Sequence, residues 1–253
     1  MKNDLNYNTF IPENIPNERK SAIKTLVFYI LIFVIGMNVL LFLGSIAGAI
    51  VVSLTGINMT NDELFKLLTD VSIYLDTIFG FLGLWWLYYY TKKKGILSLR
   101  RVQISMFDLL LIICGYVGLL VLSGLLDTIF RSFGVSIATP DNQKAVEDLL
   151  TTNPVLMIIS AMILAPIKEE WITRKLIIGS IFKNLPYVGL LVSSFGFGLL
   201  HMIAGFSLYA LIQYSLAGLI FGLIYIKTKR IEVSMLAHFL NNFVSIIAFY
   251  LVK

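Results

Sequence analysis

From residue 25 to residue 54 the chain carries no charged side chain. A run of that length is a membrane span, because about 20 consecutive apolar residues cross a bilayer core of about 30 Å. Similar runs recur at about 71–91, 109–130, 187–203, 208–226 and 231–252, and a further one, 154–182, is interrupted by charge. In hydrocarbon every backbone polar group must find its partner within the protein, so such a series specifies a helical bundle. The expected fold is therefore all-α, a polytopic bundle of about seven transmembrane helices. Composition agrees: 58% hydrophobic and 14% charged residues, with a mean hydropathy of +0.85, lie outside the range of soluble domains.

The charges sort by topology. Residues 1–24 are polar and read as a cytoplasmic N-terminal tail, too long a leader for a signal peptide. Lys92, Lys93 and Lys94 follow the aromatic belt Trp85–Tyr90, with Arg100 and Arg101 in the same loop, and Lys227, Lys229 and Arg230 mark a second cytoplasmic turn. The opposite loops hold only Lys66, Arg131 and Lys144. The net charge of +5 thus reflects orientation, and no basic stripe with interleaved aromatics points to nucleic acid. A single transmembrane domain, 25–253, with a cytoplasmic N-terminus in a bacterial plasma membrane is the expected setting. The piece 140–150 reads as a short amphipathic helix capped by Thr139. The lone cysteine, Cys114, permits no intramolecular disulfide and reads as packing.

Within this apolar background one stretch stands apart. Residues 155–167 carry no charge, and then Lys168, Glu169, Glu170, Arg174 and Lys175 follow in quick succession. A helix over 154–182 would be about 43 Å long, so the glutamates lie at membrane depth. Ionisable groups there cost about 2.5–3.5 kcal/mol each on insertion scales and mark functional sites by default. The simpler reading is an i,i+4 ion pair, Glu170 with Arg174, on a helix surface.

Two histidines, both in late spans, complete the pattern. His201 ends Phe197–His201, and His238 shares a helix face with Asn242 at i+4. Taken singly, each histidine reads as a hydrogen-bonded packing residue. Counting along ideal helices sets Glu169 and His201 at one level, Asn242 near it, and His238 about two turns nearer the cytoplasm. A glutamate pair, an arginine, two histidines and an asparagine together form the parts of an acid/base site in a water-accessible cavity. Asp76 and Asp127 read as structural.

In order and spacing, Glu169-Glu170-x-x-x-Arg174, Phe197-x-x-x-His201 and His238-x-x-x-Asn242 resemble the three motifs of the CAAX prenyl protease and bacteriocin-processing (Abi) family of intramembrane endopeptidases. The resemblance covers about residues 150–250. It implies peptide-bond hydrolysis within the membrane or at its cytoplasmic edge, with Glu169 as general base helped by His201, and His238 and Asn242 as oxyanion donors. Glu170, Arg174 and Phe197 would support the site. No cofactor is favoured; zinc, if present, would fall to Glu169, His201 and His238, though HExxH is absent and asparagine is a poor zinc ligand. The implied partner is a membrane-tethered peptide or protein within the lipid bilayer: a prenylated C-terminus, a peptide precursor, or a bacteriocin against which the cell is immune. Proton-coupled transport and a non-catalytic scaffold are the competing readings, and the oligomeric state is open.

Overall fold

The computed structural model describes residues 15, 17–56, 59–96 and 103–252. Most of the polar tail and the loop bearing Arg100 and Arg101 lie outside the described residues. Eight helices are described, joined by short turns and with no strand among them: α1 (Glu18–Thr55), α2 (Asn61–Lys93), α3 (Met106–Ser132), α4 (Asp141–Thr152), α5 (154–181), α6 (Pro186–Leu200), α7 (Leu208–Thr228) and α8 (Ile231–Val252). Helices α1, α2, α3, α7 and α8 are each long and apolar enough to cross a membrane, and α6 is a shorter apolar helix. With α5 they supply the expected polytopic bundle of an integral membrane protein.

Local chemistry sets the boundaries. Helix α2 begins ten residues before the apolar run, because Thr60 and Glu63 cap its first turn reciprocally. The polar stretch 61–70 is therefore helix that projects beyond the lipid, where the sequence had suggested a turn. Likewise α1 starts at Glu18, whose carboxylate accepts from Ser180 Oγ (2.9 Å) and Lys183 Nζ (2.8 Å) at the end of α5. Residues 18–24 are thus docked helix, although their polarity suggested a free tail. Helix α4 starts after Pro140, with no side-chain cap from Thr139.

Helix α5 is the axis of the bundle and packs against α1, α2, α6 and α8. It is not uniformly wound: Ile159–Leu164 and Trp171–Ile181 are π-helical, on either side of the α-helical turn that carries the glutamates. Helices α6 and α7 pack closely because Gly198 and Gly222 lack side chains; a Cβ on Gly198 would stand 2.7 Å from Leu211 O, and one on Gly222 would strike Leu190. Three apolar clusters result. One, around Leu87, Trp171, Leu176 and Tyr225, fills the end of the bundle where the chain enters. The others, around Phe197 and Phe221 and around Leu150 and Met157, flank a cavity in the opposite half. Apolar side chains such as Phe42, Leu120 and Leu191 face outward, as they must against lipid. Cys114 belongs to this exposed surface, not to the packed interior the sequence suggested.

Candidate active site

Adjacent residues on a helix point about 100° apart, and the Glu169–Glu170 pair uses that angle to separate two roles. Glu170 points into protein and is fully buried, as is Arg174 one turn on. Arg174 Nε donates to Glu170 Oε2 at 2.9 Å and Nη2 to Oε1 at 3.3 Å. Ser234 Oγ donates to Oε2 as well, and His238 Nδ1 lies 3.2 Å from Oε1. All four acceptor positions of the carboxylate are thereby used. The ion pair is interior, not the surface pair of the simpler reading, and a buried pair persists only when its remaining hydrogen bonds are met.

Glu169 faces the other way, into a cavity of about 360 Å³. Its Oε2 is buried and has no hydrogen-bond partner. Opposite stands His238 Nε2, 4.0 Å away. Because a carboxylate only accepts, the His238 Nδ1 facing Glu170 carries the proton; Nε2 is then the nitrogen presented to Glu169. The ring is held flat on Phe221, with centroids 4.7 Å apart, and edge-on to Phe197.

His201 follows the last residue of α6 and lies outside the helix proper. Its Nδ1 stands 2.8 Å from Phe197 O, and since a carbonyl cannot donate, Nδ1–H is the donor and Nε2 is left as acceptor. Stacking on Tyr214 (4.1 Å) and contact with Phe197 (4.7 Å) fix the ring at the cavity wall. Phe197 thus touches both histidines and the Arg174 guanidinium, 5.8 Å from its ring.

Asn242 also lines the cavity, but its amide Nδ2 donates to Ala161 O at 2.8 Å in the π-wound part of α5, and its Oδ1 accepts from Asn241. One of its two amide hydrogens is therefore committed to structure. The structure levels His238 with the glutamates and sets Asn242 farther along α8, a reversal of the depths expected from ideal helices. Counting along ideal helices takes the two turns as level and the helices as parallel, and the packing of α5 against α8 fixes the actual register.

Several residues of the cavity wall were not singled out by sequence. Asp76, read as structural, accepts from Ser160 Oγ (2.8 Å) across the α2–α5 seam and lines the cavity. Asn142 of the amphipathic helix donates to Tyr214 OH (3.3 Å) and lines it too. Asp127, by contrast, serves structure by accepting from Tyr209 OH. A zinc site asks for about four ligands in a tetrahedron, three of them from protein in catalytic centres. Among the described residues no three His, Cys, Asp or Glu side chains are grouped to hold an ion.

The C-terminal region is similar to known proteins. Residues 151–244 match the family described as "Type II CAAX prenyl endopeptidase Rce1-like". The chain carries Rce1-like sequence. The matched segment contains Glu169, Glu170, Arg174, Phe197, His201, His238 and Asn242, while Asp76 and Asn142 of the cavity wall lie outside it. A protein of Bacillus subtilis (strain 168) named "Putative membrane peptidase YdiL" is 36% identical over 104 residues, 40% of each chain. The "UPF0177 protein YvdC" of Lactococcus lactis subsp. lactis (strain IL1403) is 27% identical over 166 residues, 66% of this chain and 62% of the relative. The aligned regions thus span 40% and 62% of these relatives' lengths. No solved structure matches.

Proposed function

We propose that the protein is an intramembrane endopeptidase that hydrolyses a membrane-associated peptide or protein with water activated by Glu169. The observation that carries this reading is the unpartnered, buried Glu169 Oε2 facing the cavity, with His238 Nε2 4.0 Å away. A gap of that size holds no direct hydrogen bond. It suits a water or a substrate oxygen between the two groups.

The steps follow from what each side chain can hold. Glu169 takes a proton from the water as it attacks the scissile carbonyl carbon, with Nε2 of His201 as a second acceptor on the cavity wall. The carbonyl oxygen becomes an oxyanion. His238 Nε2, which faces Glu169 across the cavity, answers it whenever that nitrogen carries a proton. The uncommitted amide hydrogen of Asn242 is the second donor; such donors typically contribute about 2.7–4 kcal/mol. Protonated Glu169 then returns its proton to the leaving amine, and the peptide bond breaks. Glu170, Arg174 and Ser234 act through His238 by fixing its ring, and Phe197 braces both histidines. Water is the only co-reactant, and no step requires a metal.

Within this reading the substrates are a peptide precursor, a prenylated C-terminus, or a bacteriocin whose cleavage gives immunity. The experiment is to compare membrane-associated peptides by mass spectrometry in cells expressing the wild type or Glu169→Gln at matched levels. A precursor that accumulates in the variant supports proteolysis and names the substrate. Matching profiles under conditions in which the gene is needed would sink it in favour of a scaffold.

A further inference from the structure

We infer that the substrate reaches Glu169 from the non-cytoplasmic half of the bilayer, entering sideways through a vestibule between α1 and α4. The inference rests on the proteolytic reading of the cavity and adds its side and route. The helix directions fix which end is which. Lys92, Lys93, Lys94, Lys183, Lys227 and Arg230 all lie at the end of the bundle where α2 and α7 finish and α6 and α8 begin. Short loops rich in Lys and Arg stay in the cytoplasm. The cavity runs from mid-membrane toward the other end: its walls come from residues 157–169 of α5, Phe197 and His201 at the end of α6, 214–221 of α7, 238–246 of α8 and 142–150 of α4. The cytoplasmic end is instead filled by the apolar cluster around Leu87, Trp171 and Leu176. A site opening at the cytoplasmic edge, as the motif resemblance implies, would have to pass through that packing.

A second cavity, of about 250 Å³, adjoins the first and shares Asp76, Asn142, Val146 and Met157 with it. Its far wall is Met37, Asn38 and Leu41 of α1, a helix whose neighbouring residues Val39, Leu40 and Phe42 are exposed to lipid. The occupant that fits is an extended segment of the membrane-tethered substrate. An extended peptide in hydrocarbon leaves its N–H and C=O groups without partners, and Asn38, Ser72, Asp76 and Asn142 set polar atoms along this path. The two cavities share the wall formed by Asp76 and Asn142, so a segment lying in the vestibule lies beside the cavity that Glu169 faces. The substrate class is therefore a peptide whose scissile bond is reached from the outer side, that is, one already exported or inserted across the membrane.

The test uses single cysteines in the full chain carrying Cys114→Ser, in intact bacterial cells. A membrane-impermeant maleimide should label Ala204→Cys and Asn142→Cys from outside, and Lys227→Cys only after permeabilisation. Labelling of Lys227→Cys with protection of Ala204→Cys would reverse the orientation and overturn the inference. Neither result depends on proteolysis, so this arm stands or fails apart from the proposed activity. For the route, a bulky maleimide adduct at Asn38→Cys should abolish cleavage of the accumulating precursor relative to the same variant left unmodified, whereas the same adduct at the lipid-facing Phe42→Cys should not. Cleavage unchanged by the adduct would refute the vestibule.

Discussion

Glu169 and Glu170 are chemically identical neighbours, yet their substitution should give opposite phenotypes. Glu170 is fully buried, ion-paired to a fully buried Arg174, and receives further donors from Ser234 and His238. Arg174→Leu would leave that carboxylate charged and short of its main counter-ion. Breaking one partner of a buried pair costs about 3–5 kcal/mol, a large part of a typical total of about 5–15 kcal/mol. With about 2–4 °C of midpoint per kcal/mol for a chain of this size, the thermal midpoint in detergent should fall by roughly 6–20 °C. Replacing both partners, as in Glu170→Gln with Arg174→Met, should restore most of it, because the cost lies in the orphaned charge. Glu169 Oε2 has no bond to lose, so Glu169→Gln should shift the midpoint by only about 1–2 °C while abolishing substrate cleavage. Differential scanning fluorimetry on purified variants, with cleavage in membranes measured alongside, decides the matter. An unchanged midpoint for Arg174→Leu, or a Glu169→Gln variant as unstable as it, would refute this division of roles.

Other outcomes follow from single contacts. Ser234→Ala removes one donor from the buried Glu170 carboxylate and should cost about 1–3 kcal/mol, read as a lower thermal midpoint, with slower cleavage because His238 loses its fixed partner. Phe197→Ala removes a ring that touches both histidines and Arg174; about 3–5 kcal/mol of stability and nearly all cleavage should go together. Gly198→Leu should part α6 from α7 and reduce folded yield in size-exclusion profiles, since a side chain there meets Leu211 O and Ser215. Glu18→Gln weakens the tie between α1 and α5 at Ser180 and Lys183; the midpoint should fall modestly and cleavage persist.

How much of this was legible in the sequence follows from the range of each interaction. Hydrophobic runs are local, so the helical bundle, the six uninterrupted runs and the charge-bearing one could be read directly, as could the order of the three motifs. Only a residue's chemistry was needed to suspect Glu169, Glu170, His201 and His238, because charge and imidazole at membrane depth demand partners. Which partner each took was not legible. Capping at Thr60 lengthened α2 beyond its apolar run, and the docking of Glu18 drew part of the tail into α1; both depend on side chains the hydropathy ignores. The packing of α5 against α8 placed His238, not Asn242, opposite the glutamates, a register that counting along ideal helices does not give. Asp76 and Asn142 joined the cavity from α2 and α4, far away in sequence and without a spacing to announce them. The sequence by itself thus determined the membrane, the helices and the reactive groups, because these depend on composition and neighbours along the chain. Tertiary structure alone decided which glutamate is braced and which is free, because that depends on which helices pack against each face.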